Sequence, residues 1–286
     1  MDHLLVYTLN AASYAFLLFL IASGLSLIFG VMGVLNLAHG ALYMLGAYIG
    51  LTVFGYWNNF LLAIVLAAVG IGIVGLVLER AFLSRLYKQL NEQALLTLGL
   101  VYIFANAVLW IWGPYAKMGD RPAVLSGSIA IGHINFPIYR LSIIVIGLAI
   151  YFVLWWLHDR TRAGARIRAG MDDKEMTIGL GINYGLISTV IFIIGTVMGG
   201  FASFLGTPIL GVEPEMSMPI LLIAMIVVVV GGLGNIKGAL LGSLIIGFID
   251  TFGRVYFADF AMFTVYLIFI IVLLVRPTGL LGRKTV

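Results

Sequence analysis

The sequence predicts an all-α protein, a polytopic transmembrane bundle of about eight or nine spans with broken or half helices among them. Composition is the first reason: 62% of the residues are hydrophobic, 10% are charged and the mean hydropathy is +1.14. A soluble domain carries charge on roughly a quarter of its residues, so this chain cannot solvate its own surface. The second reason is that apolar runs close to the ~20 residues needed to cross ~30 Å of hydrocarbon recur along the whole length. The third is that charge collects between those runs, above all in one polar island at 158–183.

In chain order, the spans fall near 11–31, 38–57, 60–78, 93–113, 140–157, 185–206, 219–233, 239–253 and 260–276. Met1 to Leu5 lack a positive leader region and the apolar stretch after them runs past residue 30, so the first span reads as structural, not as a cleaved signal. No separate soluble domain is expected; the chain reads as one membrane domain over 1–286, with the island as a loop within it. The loop at 79–92 carries Arg80, Arg85 and Lys88, the island Arg160, Arg162, Arg166, Arg168 and Lys174, and the tail Arg276, Arg283 and Lys284. Positive charge marks the cytoplasmic side, which turns these segments inward and the N-terminus outward.

Segment 114–139 holds Pro114, Pro122 and Pro137 with several Gly and Ser, which favours an irregular external loop. Its Lys117, Arg121 and Arg140 run against the charge rule, and Asp120 partly offsets them. The stretches at 219–233 and 239–253 are about 15 residues each, short for a span, and read as half-helices meeting at Gly231-Gly232-Leu233-Gly234-Asn235. Merging them gives the eight-span alternative. Glycine is abundant at 35 residues, and the pairs Gly46/Gly50, Gly195/Gly199 and Gly238/Gly242 put small residues on one helix face, where backbones can approach closely.

Enzyme signatures are missing. With no Cys there is no disulfide, thiol nucleophile or cysteine metal site. His3, His39, His133 and His158 are too far apart for a helical metal-ligand pair. No phosphate-binding loop is present, because Lys237 is followed by Gly238 and Ala239 where Ser or Thr is needed. The net charge of +4 does not indicate nucleic acid, since the basic residues lie between spans with little aromatic interleaving. Asp250 is the clearest intramembrane acid, and Arg254 one turn later is placed to pair with it near the outer interface. Thr97 and Asn106 read as interhelical hydrogen-bonding groups.

Two glycine-broken segments resemble each other: Gly33-Val34-Leu35-Asn36-Leu37-Ala38-His39-Gly40-Ala41-Leu42 and Gly231-Gly232-Leu233-Gly234-Asn235-Ile236-Lys237-Gly238-Ala239-Leu240. Matching helix breaks in two halves of a transporter offer free backbone groups to a substrate. Asn36, His39, Gly40, Gly231, Gly234 and Asn235 are therefore the candidate substrate pathway. In the island, Asp172-Asp173-Lys174-Glu175 has the form of a capping box with Asp172 at the N-cap and Glu175 three residues on, and Gly179 and Gly181 offer places to stop. Two turns of helix are unstable alone, so this segment needs something to pack on.

Gly24 to Gly40 with Tyr43-Met44-Leu45-Gly46-Ala47-Tyr48 closely resembles the first block of the H-type permease of branched-chain amino-acid ABC importers. Val230 to Ala239 resembles that family's late block and Arg276-Pro277-Thr278-Gly279-Leu280 its ending, so the resemblance spans nearly the whole chain. Glu175-Met176-Thr177-Ile178-Gly179-Leu180-Gly181 resembles the coupling loop of ABC importers, Glu-Ala-Ala followed by Gly, with Met176 and Thr177 in place of the two alanines and no proline following near Ile191 to Ile194.

The resemblance implies a permease subunit, without an ATPase site of its own, moving leucine, isoleucine or valine inward. Its partners would be a second, similar permease, two ABC ATPases that bind ATP and Mg, an external solute-binding protein and membrane lipid; the chain itself needs no cofactor. The setting would be a bacterial or archaeal cytoplasmic membrane. Arg166, Arg168, Asp172, Asp173, Glu175, Met176 and Gly181 are the residues expected to transmit the ATPase stroke. A urea or short-amide permease, an ion-coupled carrier or channel and, more distantly, a membrane enzyme are the competing readings.

Overall fold

The computed structural model describes residues 2–33, 36–86, 89–131 and 134–282. Val34 and Leu35 of the first glycine-broken segment, Lys88, His133, Arg283 and Lys284 lie outside the described residues. The helices are α1 (Asp2–Met32), α2 (His39–Trp57), α3 (Phe60–Ala81), α4 (Leu90–Trp112), α5 (Ile138–Arg160), α6 (Arg162–Asp172), α7 (Lys174–Gly179), α8 (Tyr184–Leu210), α9 (Ser217–Gly231), α10 (Ile236–Tyr256) and α11 (Ala261–Val275). Each stretch read as a span coincides with a helix, and α6 and α7 occupy the island. By length and composition, α1, α3, α4, α5, α8 and α10 can each cross a membrane. The protein is a helical membrane bundle.

Two expectations change. Segment 114–139 is not wholly irregular: Ser128–Ile131 (β1) and Ile134–Pro137 (β2) pair antiparallel, Ser128 opposite Pro137, and Pro137 then opens α5 with its fixed φ. The stretch at 239–253 is not a half-helix. Asn235 caps a 21-residue α10, its side chain accepting from the Gly238 amide at 3.1 Å. α9 and α10 lie side by side as an antiparallel hairpin, so close that a Cβ on Gly238 or Gly242 would run into the carbonyls of Gly231 or Val227.

α1, α2 and α8 form the interior, where Leu17, Phe19, Tyr43, Tyr48, Phe192 and Phe204 are fully or almost fully buried. Val65, Val69 and Ile73 on α3, Ile103 and Trp110 on α4, Phe152 and Trp156 on α5, and Leu267 and Ile270 on α11 are exposed, as lipid-facing side chains are. Small residues set the central contacts: a Cβ on Gly195 would lie 2.7 Å from the Gly24 carbonyl oxygen, where α1 crosses α8.

The helices repeat. α1 to α4 and α8 to α11 are two runs of a long helix, a connection (33–38 or 211–216), a shorter helix, a tight hairpin and two further helices. Their packing repeats too: α1 lies on α10 as α8 lies on α3, and α2 lies on α8 as α9 lies on α1. α8 runs antiparallel to α1, with Tyr184 against Val31 and Gly206 against Leu17, so the second run is inverted relative to the first. The short helices begin deep in the bundle. His39 opens α2 and its Nε2 donates to the Ile21 carbonyl at 3.1 Å, ~16 Å along α1 from its end at Met32. Gly40 there presses on Ser217 and Leu221 at the start of α9.

Candidate coupling site

The island is folded, and its own residues explain how. α5 ends at Arg160, and Thr161 caps α6 by accepting from the Gly164 amide at 3.0 Å. Gly164 lets the chain reverse tightly, since a Cβ there would strike the carbonyls of Leu157 and His158. Ile167 and Met171, one turn apart on α6, pack against the apolar core. Arg162 and Arg166 are exposed and Arg168 is half-buried.

Asp172 does not cap the next helix. It is the last residue of α6, and Asp173 is the N-cap of α7, with extended backbone and a side chain accepting from the Met176 amide at 2.9 Å. The register therefore puts Glu175 at the second helical position, so the reciprocal arm of a capping box is absent. Glu175 remains in the first turn, at the positive end of the helix. Gly181 ends the element. Its φ of +77° lets its amide reach the Ile178 carbonyl at 2.9 Å and the Ile182 amide reach that of Thr177 at 3.3 Å, the Schellman arrangement. Gly179 lies inside the helix.

α7 is six residues long and holds its place through its contacts. Thr177 is buried, its hydroxyl donating to the Asp173 carbonyl at 2.7 Å. The Lys174 ammonium sits 4.8 Å over the Tyr184 ring at the start of α8, and the Tyr184 hydroxyl donates to the Val31 carbonyl at the end of α1. On α6, Met171 reaches both Gly30 of α1 and Gly234 in the α9–α10 turn. Apolar side chains stand exposed beside the exposed Glu175: Met176 is 66%, Ile178 52% and Leu180 72% exposed. Exposed apolar side chains on one short helix and its C-cap are the kind of patch that a protein partner covers. Beside it, Ser84, Arg85, Lys174, Ile178 and Asn183 help line a groove of about 630 Å³.

Asp173, Glu175, Met176 and Gly181 therefore belong to one short helix and its caps, and Arg166 is exposed on the preceding α6. Arg168 lines a smaller pocket with His158, Asp159 and Lys237, where its Nη1 has no hydrogen-bond partner among the described residues. Sequence reasoning placed Ile178 and Leu180 in the coupling loop without singling them out, and passed over Met171 and Tyr184. The first two were legible as apolar residues inside a polar island; the other two depend on tertiary contacts.

The pathway candidates separate. Asn36, His39 and Gly40 are buried at the start of α2. The Asn36 Oδ1 accepts from the Ala38 amide at 3.1 Å, while Asn36 Nδ2 and His39 Nδ1 have no hydrogen-bond partner among the described residues. Gly231, Gly234 and Asn235 form the α9–α10 turn, where Gly234 (φ +72°) lies against Gly30 and Asn235 donates to the Leu281 carbonyl at 2.9 Å. Gly30 and Ile21 are ~13 Å apart along α1, so the two groups lie at different depths. Among the described residues, no group of three or more His, Asp or Glu side chains is placed to hold a metal ion.

A family model described as the permease component of a branched-chain amino acid transport system matches residues 7–275. The chain belongs to this family. The permease is 29% identical to the high-affinity branched-chain amino acid transport system permease protein BraD of Pseudomonas aeruginosa, covering 99% of this chain and 97% of the relative. It is 28% identical to LivH of Escherichia coli K12, covering 93% and 92%, and 26% identical to a probable LivH of Methanocaldococcus jannaschii, covering 96% and 91%. Among solved structures it matches a chain of PsaBC from Streptococcus pneumoniae in complex with Fab, with a TM-score of 0.51 and 13% identity over 94% of this chain and 91% of that one, a likeness of fold. Membership makes the permease a multi-pass transport subunit, not an enzyme.

Proposed function

We propose that this chain is the membrane subunit of an ATP-driven importer carrying leucine, isoleucine or valine across a bacterial or archaeal cytoplasmic membrane. The island face carries Arg80, Arg85, Arg160, Arg162, Arg166, Arg168, Lys174, Lys237 and Arg276, against Lys117, Arg121, Arg140 and Arg254 on the other, which argues that the island is cytoplasmic. In this reading residues 1–286 form one membrane domain of eight or nine spans, α2 and α9 serve as its short inner helices, and 158–183 is the coupling loop. The partners are a second similar permease, two ATPases that hold the ATP and Mg, and an external solute-binding protein. The names of the relatives support the cargo.

The observation that carries the reading is α7, with Met176, Ile178 and the following Leu180 exposed, tied inward through Lys174 and Tyr184 to the ends of α8 and α1. An ATPase gripping α7 differently in its ATP-bound and released states would bias two arrangements of the bundle, and only such differential contact can drive the change. The test is uptake and ATP hydrolysis by the whole complex in proteoliposomes. Leu180→Asp and Met176→Glu should cut leucine uptake about tenfold or more while the chain stays in the membrane. Wild-type ratios of uptake to hydrolysis in both variants would refute the assignment, and uptake of urea in place of leucine by the unaltered complex would refute the cargo.

A further inference from the structure

On the face opposite the coupling site, Asn10 and Tyr14 of α1, Arg140 at the start of α5, and Asp250, Thr251 and Arg254 of α10 surround an open pocket of about 320 Å³. That is the lower end of the size range of small-ligand sites. Its charges are incompletely matched. Asp250 is almost buried and accepts from Arg254 Nε at 2.9 Å through Oδ2 alone. Arg140 donates from Nη1 to the Asn10 Oδ1 at 2.9 Å and takes part in no ion pair among the described residues. Two guanidiniums and one carboxylate thus line one pocket, and their side-chain hydrogen bonds among the described residues run through Arg140 Nη1, Arg254 Nε and Asp250 Oδ2.

Charged groups near hydrocarbon are costly unless partnered, and a ligand that completes these partnerships is favoured. The complement needs a planar anion for Arg140 and the terminal nitrogens of Arg254, and beside it a cation for Asp250. Ile209, Leu210 and Val255 give the same pocket an apolar wall, on which an aliphatic side chain loses water-exposed area. A neutral amide such as urea has neither a carboxylate for Arg140 nor an ammonium group for Asp250. We infer that this pocket is a binding site for a zwitterionic α-amino acid with an apolar side chain, at the mouth that receives cargo. This rests on the importer reading above, and it places recognition of the carboxylate and ammonium groups on Arg140 and Asp250.

The test uses the complete transporter with its solute-binding protein, and labelled leucine. Arg140→Gln and Asp250→Asn should each lower uptake about tenfold or more. Arg140→Lys should recover part of the loss. Leucine uptake at wild-type rate in either variant overturns the site. Because Asp250→Asn also weakens a structural pair, the unaltered membrane complex in nanodiscs provides an independent measure. Bound leucine should be displaced by isoleucine but not by leucinamide, which lacks the carboxylate, or by 4-methylpentanoate, which lacks the ammonium group. Equal displacement by either analogue overturns the site while leaving the importer reading intact. Absence of leucine uptake by the unaltered complex overturns the importer reading itself, and the site with it.

Discussion

Asp173→Ala isolates how much of the coupling surface depends on one hydrogen bond. The side chain satisfies the Met176 amide at 2.9 Å, and the helix it starts spans only Lys174–Gly179. The bonds that bound that element are Thr177 to Asp173 at its start and Leu180 to Met176, Gly181 to Ile178 and Ile182 to Thr177 at its end. Losing an N-cap costs about 1 kcal/mol, within a range of roughly 0.5–2. On so short an element the cost falls on the local folding equilibrium, so the population of opened α7 should rise about fivefold. Hydrogen exchange of the complex in nanodiscs reads this directly, as faster exchange confined to 174–182 and unchanged rates in the core of α1 and α8. Asp173→Asn retains an acceptor and should exchange within about twofold of wild type. Asp172→Ala removes the residue that ends α6 and should leave α7 protected. Equal loss of protection in the Asp172 and Asp173 variants, or none in the latter, would refute the cap assignment.

Other substitutions probe the inward connections. Gly234→Ala forces a side chain into φ +72° with its Cβ 2.7 Å from Gly30 Cα, and should cost about 1–2 kcal/mol or more, read as a lower Tm of the purified complex. Gly181→Ala meets open space but the same backbone penalty at φ +77°, so its effect should appear as faster exchange in α7, with Tm nearly unchanged. Tyr184→Phe removes the hydroxyl bond to Val31 and should lower the ratio of uptake to hydrolysis while keeping the ring beneath Lys174, at about 1 kcal/mol in stability. Lys237→Ala breaks an ion pair with Asp159 whose lysine side chain is half-exposed, and stability should change by less than about 1 kcal/mol in thermal unfolding.

The helices were legible because lipid exposes the chain to one strong rule: each segment that crosses it must bond its own backbone and carry apolar side chains. The register of the coupling helix was less so. Asp172 and Asp173 are equally good caps by composition, and what decides between them is where α6 stops, with the Asp173 amide still bonded to the Ala169 carbonyl at 2.9 Å. The pairing of the two glycine-broken segments was a local likeness. Each ends one helix near a glycine with positive φ and begins the next, Gly33 in one and Gly232 and Gly234 in the other. The inverted repeat instead relates 33–38 to 211–216, where Gly211-Val212-Glu213-Pro214-Glu215-Met216 shares no such pattern with its counterpart. That relation is carried by helix order and packing, which a comparison of short strings does not register.

The repeat also gives the surface loop a packed connection to the pocket at the other face. The coupling site touches the first turn of α8 through Tyr184 and the last turns of α1 through Val31 and Gly30. The far ends of these two helices hold Ile209 and Leu210, and Asn10 and Tyr14, in the wall of the outer pocket. Between the ends they cross at Gly24 and Gly195 with backbone almost in contact, so neither can shift there without the other. α2 and α9 start against this crossing, His39 bonded to Ile21 and Gly40 pressed on Ser217. A displacement applied at the island therefore has two packed routes through the bundle, one along α1 and one along α8, and both end on the residues that face the outer pocket.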